Sequence, residues 1–292
     1  MKTTVRNLIL IGIVLALAAG CGQDEDAARS RKLKVAASIF PLADVARQIG
    51  GDDVEVVTLL PPGASPHGFE PQPRQVEQLA QCRLLIGADV DLWAERAAKA
   101  NGADIKTLRF ADVAKVWAFR LPTDAPHGWL DPVRMKQFAA AVAEAMAELD
   151  PAHAAAYAER AKAFIAELDK LDAEHRETLG KLKTKAFVSF HAAFIHLAAR
   201  YGLKQVALTD LHADEGGPEQ LERVVEFVRE NKLKVVFAEP QFPAEKLRWL
   251  QEQTGVTVER LDPIGNPDVK GYDSYLAMMR SNLRTLAAAM SE

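Results

Sequence analysis

The feature that most constrains this chain is a hydrophobic period that changes twice. Between residues 33 and 110, short apolar β-type runs alternate with segments of helical spacing: LKVAASIF (33–40), VEVVTLL (54–60), RLLIGA (83–88) and IKTLRF (105–110) are the runs. From Pro132 to about Lys183 no such run occurs, and the pattern is helical, rich in Ala, Glu, Lys and Leu. Alternation then resumes with KAFVSF (185–190), KQVAL (204–208), KVVFAE (234–239) and TVERL (257–261), and the chain closes on the helical SYLAMMRSNLRTLAAAM. Strands alternating with helices imply parallel sheets covered on both faces.

The central block breaks once, at LDPAH. Asp150 suits an N-cap and Pro151 a first helical position, so a new helix is expected from 151 to about 181. At 1.5 Å per residue it would be about 45 Å long. Such a rod is either a surface helix of one domain or a strut running past two lobes. Two βα halves on either side of it favour the strut. The expectation is an α/β fold of two lobes (33–150 and 182–292), each with a mostly parallel four-stranded sheet and flanking helices, bridged by one long rigid helix. No close sequence repeat relates the halves.

The first residues read differently. Lys2 and Arg6 precede the apolar run NLILIGIVLALAA, which ends at Gly20-Cys21. A positive start, an apolar stretch too short to span a bilayer and a small-residue cleavage site make a secretory signal over 1–20. A cysteine directly after Ala-Ala-Gly also fits a lipoprotein cleavage box, although Ala18 stands where Leu is usual. The alternative is a plain secreted protein. The expectation is a lipid on Cys21, a solvated tether over 21–32, and a place in the cell envelope, in the periplasm or on the outer face of a membrane. Removing 1–20 leaves 34 Lys and Arg against 40 Asp and Glu, a net charge of −6. That balance, with no basic cluster interleaved with aromatics, argues against nucleic acid as a partner. Cys82, in AQCRLLIG, reads as core, so no disulfide framework is expected.

Seven histidines remain to be sorted. His153 and His175, among Glu, Arg and Ala, read as exposed residues of the long helix. His67 lies in the stiff PPGASPHGFEPQP loop after the second strand, His127 in PHGWLDP, and His191 at the end of AFVSF. Ligands of open parallel sheets bind beyond the carboxyl ends of strands, and His67 and His191 both stand there, one in each half. Three imidazoles suit a metal, and a fourth ligand would complete a tetrahedron. Asp273, in GYDSYLAMM, is the best candidate, with helix capping as its other reading. Glu239, in FAEPQF, also ends a strand and reads as pocket wall or support behind the ligands. His196 reads as lobe packing. His212, in LTDLHADEGG, reads as an exposed loop residue, with a secondary site beside Asp210 or Asp214 as the alternative.

Several of these segments, in order, resemble the metal-specific solute-binding proteins of bacterial ABC importers, the zinc and manganese group: PPGASPHGFEPQPRQV, IGADVDLW, PHGWLDP, SFHAAFIHLAARYGL, VVFAEPQF and YDSYLAMMRSNLRTL. The resemblance implies two α/β lobes bridged by a rigid helix, a metal in the cleft between them, and ligands at His67, His127, His191 and Asp273. It also implies an ABC permease with its ATPase subunit as partner. The chain departs from many zinc members in lacking a His-rich loop before His127, and LTDLHADEGG replaces an acidic Glu-Pro-Ser motif.

Three imidazoles and a carboxylate suit Zn²⁺; manganese favours more oxygen, and the resemblance associates it with Glu where His191 stands. Zn²⁺ is therefore expected as the captured ion, with Mn²⁺ or iron as the runner-up. A zinc-dependent hydrolase is the rival class. It would need an open coordination position and a general base, and His-Glu-x-x-His is absent. A surface adhesin would fit the anchor but leave the histidines unexplained. The expectation is thus a monomeric binding protein without catalysis, whose affinity falls as pH drops through about 6.5.

Overall fold

A computed structural model describes residues 32–88, 92–100, 102, 104–113, 126–209, 218–241 and 245–291. The expected signal, the tether and Cys21 lie outside these residues, as do His212, Asp210 and Asp214. No helix among the described residues is long and apolar enough to cross a membrane.

All eight expected strands form. The first sheet contains β1 (Leu33–Ala37), β2 (Val54–Thr58), β3 (Leu84–Gly87) and β4 (Lys106–Arg109), in the order β2-β1-β3-β4. The second contains β5 (Ala186–Ser189), β6 (Lys204–Ala207), β7 (Val235–Ala238) and β8 (Thr257–Arg260), in the order β6-β5-β7-β8. Every pairing is parallel. The halves therefore share one topology although their sequences show no close repeat.

The first half carries α1 (Phe40–Gly50), α2 (Pro73–Ala80), α3 (Leu92–Ala100) and the one-turn α4 (Phe110–Val113). The second carries α7 (Ile195–Arg200), α8 (Pro218–Glu230), α9 (Glu245–Thr254) and α10 (Tyr275–Met290). Between them run α5 (Pro132–Leu149) and α6 (Ala154–Gly180). At 27 residues α6 is about 40 Å long. It packs along α5 and α1 on one side and against α10 on the other, so it touches elements of both halves. One apolar core spans them, including Leu42 and Phe138 from the first half and Phe187, Tyr275 and Met278 from the second. A smaller cluster, with Val188, Val224 and Leu250, lies within the second half. Cys82 is buried, as expected.

Three local expectations are corrected. A 3-10 turn, Pro151–His153, precedes α6, and Asp150 makes no side-chain cap bond. Its carboxylate instead accepts hydrogen bonds from His153 Nδ1 (2.7 Å) and Tyr157 Oη (2.6 Å). His175 is not exposed: it is fully buried, its Nδ1–H donates to Leu171 O (2.8 Å), and its ring stacks on Tyr201. The helix packs on α7's carboxyl end there, which no pattern within α6 reveals. His153 is half-buried, held by that bond to Asp150.

Candidate metal centre

The order β6-β5-β7-β8 has its switch point between β5 and β7, where the chain leaves the first strand in opposite directions. His191 follows β5 and Glu239 follows β7, so the two face each other across that crevice. His191 Nδ1 lies 2.5 Å from Glu239 Oε2, and the His191 main-chain N–H donates to Oε1 at 3.2 Å. Nδ1 therefore carries the proton, and the lone pair of Nε2 points away from Glu239. Both side chains are buried. Burial pushes the Glu239 carboxyl above its ordinary range, and the His191 hydrogen bonds pull it back.

His127 reaches the same point from the first half. It stands in the left-handed region, φ 69° and ψ 26°, at the head of the 3-10 turn Gly128–Leu130. Holding a β-carbon there costs of order 1–3 kcal/mol, which the surroundings must offset. Trp129 supplies part of that hold: it is fully buried, its Nε1–H donates to Pro263 O (2.7 Å), and its carbonyl accepts Tyr275 Oη–H (2.7 Å). Gly128 suits the turn: a β-carbon would lie 2.4 Å from Arg134 Nη1 and 2.8 Å from Phe110 Cε1, so any other residue would displace those side chains. The third imidazole, His67, comes from the proline-rich loop after β2, with its own N–H turned onto Ser65 Oγ (3.2 Å).

The three rings converge. His127 Nε2 lies 3.2 Å from His67 Nε2 and 3.2 Å from His191 Nε2, and one nitrogen from each ring falls within 4.8 Å of the others. Two ligands at 2.0–2.1 Å from a tetrahedral ion stand about 3.3 Å apart, so this spacing fits zinc. The cavity they line, with Glu239, Gln241 and Ile264 behind them, holds about 10 Å³ of free space. That is room for a single ion or water. His127 and His191 are buried and His67 is half-buried.

Asp273 is not brought to the imidazoles. It is exposed, its Oδ1 accepts the Gly271 N–H (3.2 Å), and it lines a neighbouring cavity of about 650 Å³ with Asp44 and Arg47. Its capping alternative goes to Ser274, whose hydroxyl accepts from Ala277 N (3.2 Å). Among the described residues, the acids and histidines whose ligand atoms converge are His67, His127 and His191. A further buried acid, which the sequence reading did not single out, is Asp262. It is 1% exposed and ends β8 as His191 ends β5. Its Oδ1 accepts from Ile264 N, Gly265 N and Gln241 Nε2, and its Oδ2 from Arg260. The signal was present in TVERLDP, a strand running directly into an acid. His196 is buried and bonded to Arg134, which agrees with lobe packing.

Residues 35–289 match the family model described as "Zinc-uptake complex component A periplasmic". The chain is 27% identical, over the full length of both, to the manganese ABC transporter substrate-binding lipoprotein PsaA of Streptococcus anginosus. It is 25% identical to the zinc-binding lipoprotein AdcA of Streptococcus pneumoniae, over 96% of this chain and 60% of that one. A zinc-bound crystal structure of a ZnuA deletion mutant superposes with a TM-score of 0.77 at 28% identity, covering 90% of this chain and 99% of that one.

Proposed function

Because the chain belongs to the zinc-uptake complex component A family, the metal-binding component of ABC transporters, we propose that it captures Zn²⁺ between its two halves and hands it to a membrane permease driven by an ATPase subunit. The observation that carries this reading is the convergence of His67, His127 and His191, with His127 Nε2 lying 3.2 Å from both His67 Nε2 and His191 Nε2. Three neutral nitrogens rank Zn²⁺ above Mn²⁺ and Fe²⁺. The ion is cargo, so the site must hold it without reacting. A cavity of about 10 Å³ leaves no space for an ester or peptide beside the ion, which supports binding without turnover.

Each side chain has one task. His191 presents Nε2 because Glu239 holds the proton on Nδ1, and the carboxylate raises the basicity of the ring. His127 supplies the shared vertex. His67 closes the site from the proline-stiffened loop. Neither Asp273 nor Asp262 joins the converged imidazoles, so Asp273 completes the set only if the 266–273 segment moves toward them, and Asp262 is the alternative fourth ligand. Support comes from its burial, its position at a strand end of the same sheet as His191, and its link through Gln241 to the cavity wall. Its Oδ2 is held by Arg260, whose side chain is 42% exposed and can turn to water when an ion competes for that oxygen. Imidazoles bind metal only when neutral, so uptake weakens as the pH falls.

We further propose that residues 1–20 are a signal, that Cys21 carries the lipid, and that the protein works at the outer face of a membrane or in the periplasm. The relatives named lipoproteins support this. Elemental analysis of protein purified without added metal, followed by competition, tests the central claim. About one zinc per chain, not displaced by excess manganese, is expected. Manganese displacing zinc would overturn the choice of ion, and a chain that binds neither would overturn the reading.

A further inference from the structure

The first and second halves meet at a buried ion pair whose members follow His127 and His191 in the chain. Asp131, four residues after His127, is 2% exposed, and the Arg200 side chain is 8% exposed. Arg200 Nε lies 2.9 Å from both carboxylate oxygens, and its Nη2 donates to Oδ2 at 2.6 Å. Arg200 ends α7, the helix that the turn after His191 leads into. Beside it, Arg134 of α5 lies 3.0 Å from His196 Nδ1 of the same helix. Arg134 also crosses the His127 turn closely, its Nη1 2.4 Å from where a β-carbon at residue 128 would stand.

An N-cap needs none of this. Asp131 already caps α5 by accepting from Val133 N (2.9 Å), and caps work well in water. A buried ion pair adds little net stability over apolar residues of the same shape, and its best-attested use is to specify register. Here the planar guanidinium fork fixes both distance and angle between the element carrying His127 and the element carrying His191. From this geometry we propose that Asp131 and Arg200 are positioning residues for the metal site: the pair sets the separation of the His127 and His191 imidazoles, and through it zinc affinity. The proposal rests on the metal reading above for its consequence but not for its geometry.

The test uses Arg200→Lys, which keeps a cation opposite Asp131 and removes the fork, and Arg200→Met. In the metal-free folded protein, Arg200→Lys should shift the ¹H–¹⁵N imidazole resonances of His127 and His191 and leave those of His153 in place. Zinc affinity should fall by about 10–100-fold, the range typical of residues that orient ligands. The visible spectrum of bound Co²⁺ should lose intensity as its geometry departs from tetrahedral. Asp131→Asn combined with Arg200→Met should lose no more affinity than the worse single variant, because the two act as a unit. Unmoved His127 resonances in Arg200→Lys, or wild-type affinity and Co²⁺ spectrum, would overturn the positioning role. A wild-type protein that bound no zinc, with the resonances still shifted by Arg200→Lys, would overturn the metal reading and leave the positioning role standing.

Discussion

Glu239 accepts two hydrogen bonds from one residue, His191: one from the ring Nδ1 at 2.5 Å and one from the main-chain N–H at 3.2 Å. The pair joins the ends of β5 and β7 across the switch point of the second sheet. It therefore fixes tautomer and ring orientation together, which a single contact could not do.

Replacing Glu239 by Gln keeps the shape and removes the charge. The amide can still accept from Nδ1–H but no longer raises the basicity of the ring. Zinc affinity should fall by about 10–100-fold with the fold intact. Calorimetric titration beside a thermal melt checks this, and unchanged affinity would assign Glu239 to packing alone.

The histidines separate by role. His191→Ala should weaken zinc binding by more than the ~10–100-fold of a supporting residue. His175→Ala should leave affinity nearly unchanged and lower the melting temperature, since it opens a hole beneath Tyr201. Equal losses of affinity in the two variants would refute the ligand assignment.

The two candidate acids are distinguishable by the same titration. Asp262→Asn should reduce affinity by at least about tenfold if that carboxylate serves the ion, because it removes a buried charge linked to the cavity wall through Gln241. Asp273→Asn, on an exposed loop residue, should change it by less than about twofold. The reverse order would return the fourth ligand to Asp273 and require the 266–273 segment to move.

His175 also predicts a pH dependence. Burial holds its pKa below the ordinary 6.5, so the folded protein keeps it neutral while the unfolded chain takes up a proton. Its contribution to stability is full above the unfolded pKa and is lost as pH falls from about 6.5 toward the lower folded value. The slope cannot exceed about 1.4 kcal/mol per pH unit for one group. His175→Gln should therefore lose less stability than wild type between pH 7 and pH 5, read from denaturant midpoints. Parallel curves would contradict a buried neutral imidazole.

Sequence pattern alone determined the eight strands, the helical block between them and the three loop histidines. Those features are local: a strand announces itself by its own apolar run, and a proline-rich loop by its own residues. It also pointed to the strand ends, where β5 and β7 deliver His191 and Glu239. What only the tertiary structure decided are relations between residues far apart in the chain. His175 is exposed by the pattern of its helix and buried by Tyr201, 26 positions later. Asp273 follows glycine and tyrosine in a promising loop, yet it stays exposed and bonded to Gly271 N, while Asp262, which reads in sequence as the end of a strand, is buried. Asp131 looks like an ordinary cap until Arg200 arrives from the other half. Side-chain period is set by neighbours within a turn or a pleat, whereas these contacts are set by how two sheets and the helices between them pack, and no local pattern encodes that distance.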